Sequence, residues 1–151
     1  MRKKPTKELK MVNLNDLHPE LQAKIPLLLV NCKNRGAEYK VTCGLRTVDE
    51  QNVLFAQGRT TPGPIVTKAR GGESYHNFGV AVDATRIIGG KAVWDVESYR
   101  ILAEEAKKLG LEPGFYWKFQ DCPHIQLPFQ LKDLQATFAK GGLKAICLLT
   151  P

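Results

Sequence analysis

The stretch Ser74-Tyr75-His76-Asn77-Phe78-Gly79-Val80-Ala81-Val82-Asp83 sets a histidine in a turn and a carboxylate seven positions later in an apolar run. Val80 to Ile88 is β-prone and apolar, so it reads as a central strand, with His76 in the loop that feeds it. Gly79 lets the backbone turn closely enough for both side chains to face one point. An imidazole nitrogen and a carboxylate oxygen are both zinc donors, at about 2.0–2.2 Å. A carboxylate inside an apolar strand is costly unless it is paired or bound to metal. Asp83 is therefore a ligand, a turn cap or the partner of Arg86.

A second segment, Trp117-Lys118-Phe119-Gln120-Asp121-Cys122-Pro123-His124-Ile125-Gln126, repeats the pairing of acid and histidine. Pro123 keeps Cys122 out of helical angles, so Asp121 and His124 do not stack along a helix; a turn can aim both into one cleft. Taken singly, His124 also fits a hydrogen-bonded core histidine and Asp121 a turn carboxylate. His18, just before Pro19, reads as a cap-region residue. Of the three histidines, the other two each sit beside a carboxylate in a turn-rich setting, and that coincidence points to a shared site.

Outward from these segments the chain alternates irregularly between helix and strand signals. Leu21, Ile25, Leu28 and Leu29 give helical spacing over about Pro19 to Asn34, which Gly36 ends and Pro26 should kink or divide. Glu38 to Cys43 alternates like a short strand. Thr47 and Glu50 form a capping-box pattern opening a helix that Gly58 closes. Arg59 to Gly72 is rich in Gly, Pro and Thr and reads as a long functional loop. Glu97 to Leu109 is an amphipathic helix capped by Gly110. One or two strands are expected over Phe115 to Leu127, and a last helix over Leu131 to Lys140, before Gly141-Gly142. This irregular order favours α+β over a doubly wound sheet.

At 151 residues, 43% hydrophobic and 25% charged, the chain suits a single domain over 1–151. No apolar run approaches the roughly 18 residues of a membrane span, so stable membrane insertion is not expected. The start, Met1-Arg2-Lys3-Lys4-Pro5-Thr6-Lys7, is basic without a following apolar region, so residues 1–12 read as a basic arm rather than a signal peptide. A net charge of +7 favours polyanions, anionic wall polymers among them. Scattered Lys and Arg without a zinc-finger, KH or RNP pattern argue against nucleic acid. Cys32, Cys43, Cys122 and Cys147 contain no C-x-x-C pair, which argues against a Cys-rich structural zinc site. Free, buried thiols are expected, with a Cys32–Cys43 bridge the alternative.

The paired motifs, Ser-x-His-x-x-Gly-x-Ala-x-Asp over 74–83 and Asp-x-Pro-His over 121–124, resemble the zinc D-alanyl-D-alanine carboxypeptidase-like peptidases. Their branch of phage and bacterial L-alanyl-D-glutamate endopeptidases, many of them endolysins, is the nearest in pattern. Similarity extends from about Leu14 to Gln126, with Gly44-Leu45-Arg46-Thr47, Gln51 and Gly58-Arg59-Thr60 resembling the family's Arg-Thr blocks. The resemblance implies a hedgehog/DD-peptidase-like α+β fold, a small antiparallel sheet flanked by helices. It implies one zinc ion per chain on His76, Asp83 and His124, with Asp121 as the catalytic carboxylate. Arg46 and Ser74 would bind substrate, although Arg46 also fits an ion pair with Asp49 or Glu50, and Ser74 a hydrogen bond within its turn. Where relatives often carry Trp-Gly-Gly before the second motif, this chain has Pro113-Gly114-Phe115-Tyr116-Trp117, which changes the pocket.

The implied activity is hydrolysis of the L-alanyl-D-glutamate bond in peptidoglycan stem peptides by a monomer. It would be made in the host cytoplasm and act on the periplasm or wall after holin-dependent release, as in bacteriolysis by a phage enzyme with antimicrobial effect. A D,D-carboxypeptidase or D-alanyl-D-alanine dipeptidase on the same fold is the alternative within enzymes. A non-catalytic wall-binding or phage structural module is the alternative from another class. A binder, however, has no need of both metal ligands and a base.

Overall fold

The computed structural model describes residues 11–151, so the basic arm expected over 1–12 lies outside the described residues except for Met11 and Val12. Leu21, Ile25, Leu28 and Cys32 recur on one face of the first helix, α1 (Pro19–Asn34), and are buried. The helix runs undivided through Pro26. Its entry is capped by His18, whose Nδ1 accepts the Glu20 N–H at 3.1 Å, with Pro19 at the first position, where no amide partner is needed. The other nitrogen, Nε2, lies 2.9 Å from the Leu149 carbonyl, so one buried imidazole joins the start of the fold to its C-terminal end.

Five strands form one antiparallel sheet: β1 (Glu38–Cys43), β2 (Ala81–Ile88), β3 (Lys91–Val93), β4 (Glu112–Pro113) and β5 (His124–Gln126). Their order is β1-β2-β5-β4, with the β3 hairpin partner on β2. Helices α2 (Val48–Ala56), α3 (Arg100–Lys108) and α4 (Leu131–Ile146) complete the fold, and α1 packs on α3 and β1. Along β2, Val82 and Ala84 join the hydrophobic core, so Asp83 and Thr85 stand on the opposite face by the two-residue period of a strand. β5 repeats this: Ile125 enters the core, and His124 and Gln126 face the other way.

The sheet flanked by helices matches the expected α+β architecture, while several boundaries differ from the sequence reading. The final helix breaks at Gly142, which takes φ 64°, ψ −155°, close to the expected end at Gly141-Gly142, and a second, short helical piece to Ile146 follows that was not expected. A 3-10 turn, Val96–Tyr99, precedes α3, with Asp95 capping it through Ser98. Thr47 Oγ1 caps α2 through the Glu50 N–H at 3.1 Å; the full reciprocal box stands instead at Ser74 and Asn77. All four cysteines are free, so the Cys32–Cys43 bridge does not form.

Replacing His18 by Ala removes both its bonds and should lower unfolding free energy by about 1–3 kcal/mol in urea melts. His18→Asn should recover the cap's share alone, and a melt identical to wild type would show that the tie to Leu149 contributes nothing.

Candidate metal centre

Asp83 and His124 are directly paired across β2 and β5, and Cys43 is paired with Asp83 across β1 and β2. His76 arrives on a 3-10 turn, Tyr75–Phe78, which Ser74 and Asn77 cap and Gly79 closes at φ 68°. A side chain at Gly79 would meet the Asp16 carbonyl at 3.2 Å, so the close turn read from the sequence requires glycine on both counts. The result brings His76 Nε2 and His124 Nδ1 each to 3.3 Å from the same oxygen, Asp83 Oδ1. Asp121 lies beside them, its Oδ2 3.9 Å from His124 Nδ1. All four sequence-predicted residues thus line one cleft of about 540 Å3, together with Arg46 and Ser74.

Each imidazole is fixed from behind. His76 Nδ1 lies 2.9 Å from the Gly44 carbonyl, which can only accept, so Nδ1 carries a proton and, in the neutral ring, Nε2 offers a lone pair. His124 Nε2 lies 2.8 Å from Gln126 Oε1. The Gln126 amide is oriented by donating to Glu112 Oε2 at 3.2 Å, so its oxygen faces the ring and His124 Nδ1 is left as the lone pair. Asp83 Oδ1 is buried and accepts no hydrogen bond. With both rings neutral, three electron-rich atoms would face one another, an arrangement that needs a shared proton or a metal ion among them. Two nitrogens and one carboxylate oxygen form a donor set that fits zinc and leaves a position for water.

The electrostatics agree. Burial by itself would strip the His76 proton, but the Asp83 carboxylate, with Cys43 behind, pushes its pKa up to about 10. For Asp83, burial would raise the carboxyl, but His124 and His76 hold it well below the usual carboxylate range. Asp121 moves the opposite way: half-exposed at its tip yet set among protein atoms, it is raised by burial, with the Asp83 charge adding to this against the pull of His124. It is thereby the more basic of the two carboxylates.

Cys43 is a further candidate donor that the sequence reading passed over, grouped with His76 and Asp83. Its Sγ faces Nδ1 of His76 at 3.8 Å, the nitrogen already bonded to Gly44, and accepts from Arg46 Nη2 at 3.2 Å. Cys43 therefore sits behind the histidine, away from His124. Arg46 donates its other arm to Gln51 Oε1 at 2.8 Å, so the ion pair with Asp49 or Glu50 does not form. Arg86 reaches the Gly36 carbonyl and not Asp83.

Three buried amides escaped the sequence reading as organisers. Gln51 appeared there only within a family block; here it holds Arg46 and ties the 59–72 loop through Thr67 Oγ1 and the Ala69 carbonyl. Asn77 donates to the Arg46 carbonyl and accepts from Gly72 and Ser74. Gln126 holds the His124 ring and is itself held by Glu112. Gly114 organises the site differently, by lacking a side chain: a Cβ there would stand 2.5 Å from the Asp121 carbonyl oxygen. Within the Pro113-Gly114 step, the Asp121 loop therefore rests on a glycine.

Comparison with known proteins places this geometry in context. A family model, VanY: D-alanyl-D-alanine carboxypeptidase, matches residues 14–126. The peptidoglycan L-alanyl-D-glutamate endopeptidase CwlK of Bacillus subtilis (strain 168) is 41% identical over 124 residues, covering 75% of this chain and 74% of that protein. Among solved structures, the Serratia marcescens L-Ala D-Glu endopeptidase ChiX is similar with TM-score 0.57 and 25% identity, covering 87% of this chain and 98% of that one. The fold is also shared with a vancomycin-resistance D,D-pentapeptidase, VanY, solved with Zn(II), at TM-score 0.59 and 18% identity, covering 92% and 88% of the two chains.

Gln126→Leu removes the acceptor that fixes the His124 tautomer. Zinc affinity, read by competition with a chromophoric chelator, should fall about 10–100-fold. Unchanged affinity in a variant of native circular dichroism would mean that Gln126 does not orient the ring.

Proposed function

The chain belongs to the VanY D-alanyl-D-alanine carboxypeptidase family, and we propose that it is a zinc-dependent peptidase hydrolysing the L-alanyl-D-glutamate bond of peptidoglycan stem peptides. The observation that carries this reading is the meeting of His76, Asp83 and His124 around one unpartnered carboxylate oxygen, with a second, more basic acid at their side. Similarity to the Bacillus subtilis endopeptidase supports the choice of bond. We take His76, Asp83 and His124 as the ligands of one zinc ion in a single-domain, monomeric enzyme.

Zinc in such a site supplies a positive charge that acidifies a water molecule and polarises a carbonyl. Asp121, its pKa raised by burial, takes a proton from the attacking water as its oxygen adds to the scissile carbonyl carbon. It returns that proton to the amine nitrogen as the carbon–nitrogen bond breaks. Arg46, held by Gln51 and Cys43 with its guanidinium at the cleft wall, pairs with the free carboxylate of D-glutamate or with the developing oxyanion. Ser74 Oγ accepts the His76 N–H at 3.3 Å, which leaves its hydroxyl proton for substrate.

No described helix is long and apolar enough to cross a membrane. An endolysin-like role, with holin-dependent release to the wall and bacteriolysis as the outcome, is the setting in which we place the activity.

A digest of purified wall by the zinc-loaded protein, read by mass, should split the stem after L-alanine and stop on chelation. Release of terminal D-alanine alone would instead indicate the D,D-carboxypeptidase chemistry of the family's name. In the same assay Asp121→Ala should retain zinc and lose at least about 100-fold in kcat, the scale of general-base loss; His76→Ala should lose the metal. Normal turnover by Asp121→Ala would remove it from the mechanism.

Proton linkage gives an independent check. With zinc chelated away, a His76 pKa of about 10 means that the imidazole is protonated at pH 7 and must release its proton on binding metal. Zinc affinity should therefore climb as pH rises from 7 toward 10. Calorimetry at pH 7 in buffers of different ionisation enthalpy should record about one proton released. Affinity independent of pH across that window would contradict the raised value.

A further inference from the structure

We propose that Trp117, in the wall of the cleft, and its exposed neighbour Phe119 form a subsite for the N-acetylated sugar to which the stem peptide is attached. This rests on the reading of the scissile bond as L-alanyl-D-glutamate. In peptidoglycan the L-alanine nitrogen is amide-linked to the lactyl group of the muramic sugar, so a single amino acid, about 3.5 Å long, separates that bond from the lactyl group. An enzyme cutting there must accommodate the sugar next to its catalytic centre.

The structure has a surface of matching chemistry beside that centre. Trp117 lines the cleft with its ring 5.2 Å from that of His124, yet is 39% exposed. Phe119, two residues on, is 76% exposed, with Lys68 Nζ of the 59–72 loop 5.0 Å from its ring centroid, so it extends the aromatic surface outward from Trp117. The loop is pinned: the Gly114 carbonyl accepts the N–H of both Trp117 at 3.2 Å and Asp121 at 3.0 Å. One backbone oxygen thus fixes the aromatic and the proposed base relative to each other. In the sheet order, β2 separates Arg46, which follows β1, from Trp117, which precedes β5. With the D-glutamate carboxylate directed to Arg46, L-alanine and its sugar run toward the aromatic wall. The muramic carboxyl is consumed in the amide, so the sugar presents a neutral, C–H-rich face suited to stacking on an indole.

Two substrates test this: N-acetyl-L-alanyl-γ-D-glutamyl-L-lysine, and the same peptide carrying N-acetylglucosaminyl-N-acetylmuramic acid in place of the acetyl group. The sugar-bearing form should show kcat/KM about tenfold higher, mainly through KM. Trp117→Ala and Phe119→Ala should bring the ratio of the two values toward one, whereas Arg46→Lys should lower both and leave the ratio intact. Should an alanine variant fail to fold, Trp94→Phe isolates Trp117 as the reporting indole, and the free disaccharide should shift its emission. Equal kcat/KM for both substrates, with cleavage after L-alanine, overturns the sugar subsite and leaves the bond assignment standing. Cleavage of neither at that bond by the zinc-loaded enzyme overturns the bond assignment and the subsite with it. An emission shift caused by anionic lipid vesicles, with none from the disaccharide, would make the rim a membrane contact and reject the proposal.

Discussion

The arrangement depends on one buried carboxylate oxygen. Asp83 Oδ1 has two imidazole nitrogens at 3.3 Å and no hydrogen-bond donor, a combination that a protein interior does not tolerate unless a positive charge is shared among the three. A proton on His76 answers that demand in part, which is why its pKa rises despite its burial. A divalent ion would answer it for all three donors at once. The far sides of both rings are already committed, one to the Gly44 carbonyl and the other to Gln126, so neither can turn its lone pair away from Asp83. The charge imbalance is built into the fold.

Neutral amides maintain this geometry. Gln126 links Glu112 to His124, Gln51 links Arg46 to the 59–72 loop, and Asn77 links the histidine turn to the Arg46–Thr47 backbone. An amide offers a donor and an acceptor at fixed separation, so it can bridge two segments and dictate a tautomer without adding charge. A charged residue in any of these places would shift the pKa values that distinguish Asp83, kept ionised, from Asp121, raised and able to move a proton. The long loop stays near the cleft through the same economy: Gln51, fully buried in α2, bonds two of its residues.

Much of this was legible in the sequence. His76, Asp83, Asp121 and His124 stood out because histidine beside acid in a turn is uncommon, and the paired spacings matched a known pattern. The helix at Pro19, the strands at Glu38 and Val80, and the cap at His18 followed from local signals that tertiary packing did not override. What escaped was long-range or too short to signal. β4 spans two residues and β3 three, below the length at which alternation can be read. The Gly-Gly pair does interrupt the final helix, but the short helical piece beyond it gave too brief a pattern to read. Gln51, Asn77 and Gln126 carry no chemistry by type, and their partners lie up to 31 positions away, so only coordinates reveal their roles.

The register of two strands couples stability to the site. Where β2 meets β5, Val82 faces Ile125 across the core side, and the next pair, Asp83 and His124, faces the cleft. Because strand side chains alternate, a slip of one residue would turn Asp83 and His124 into the core and expose Val82 and Ile125. Such a slip would bury a carboxylate and an imidazole with no cation in reach, while removing two fully buried apolar side chains from the core. Packing on one face therefore selects the pairing on the other. The proposed metal ligands need no interaction of their own to find each other, since the hydrophobic side of the same strands has already set them opposite one another. His76, which comes from a turn outside the sheet, lacks that guarantee. This explains why it is the ligand surrounded by the most elaborate capping, with Ser74, Asn77 and Gly79 all holding its short turn in place.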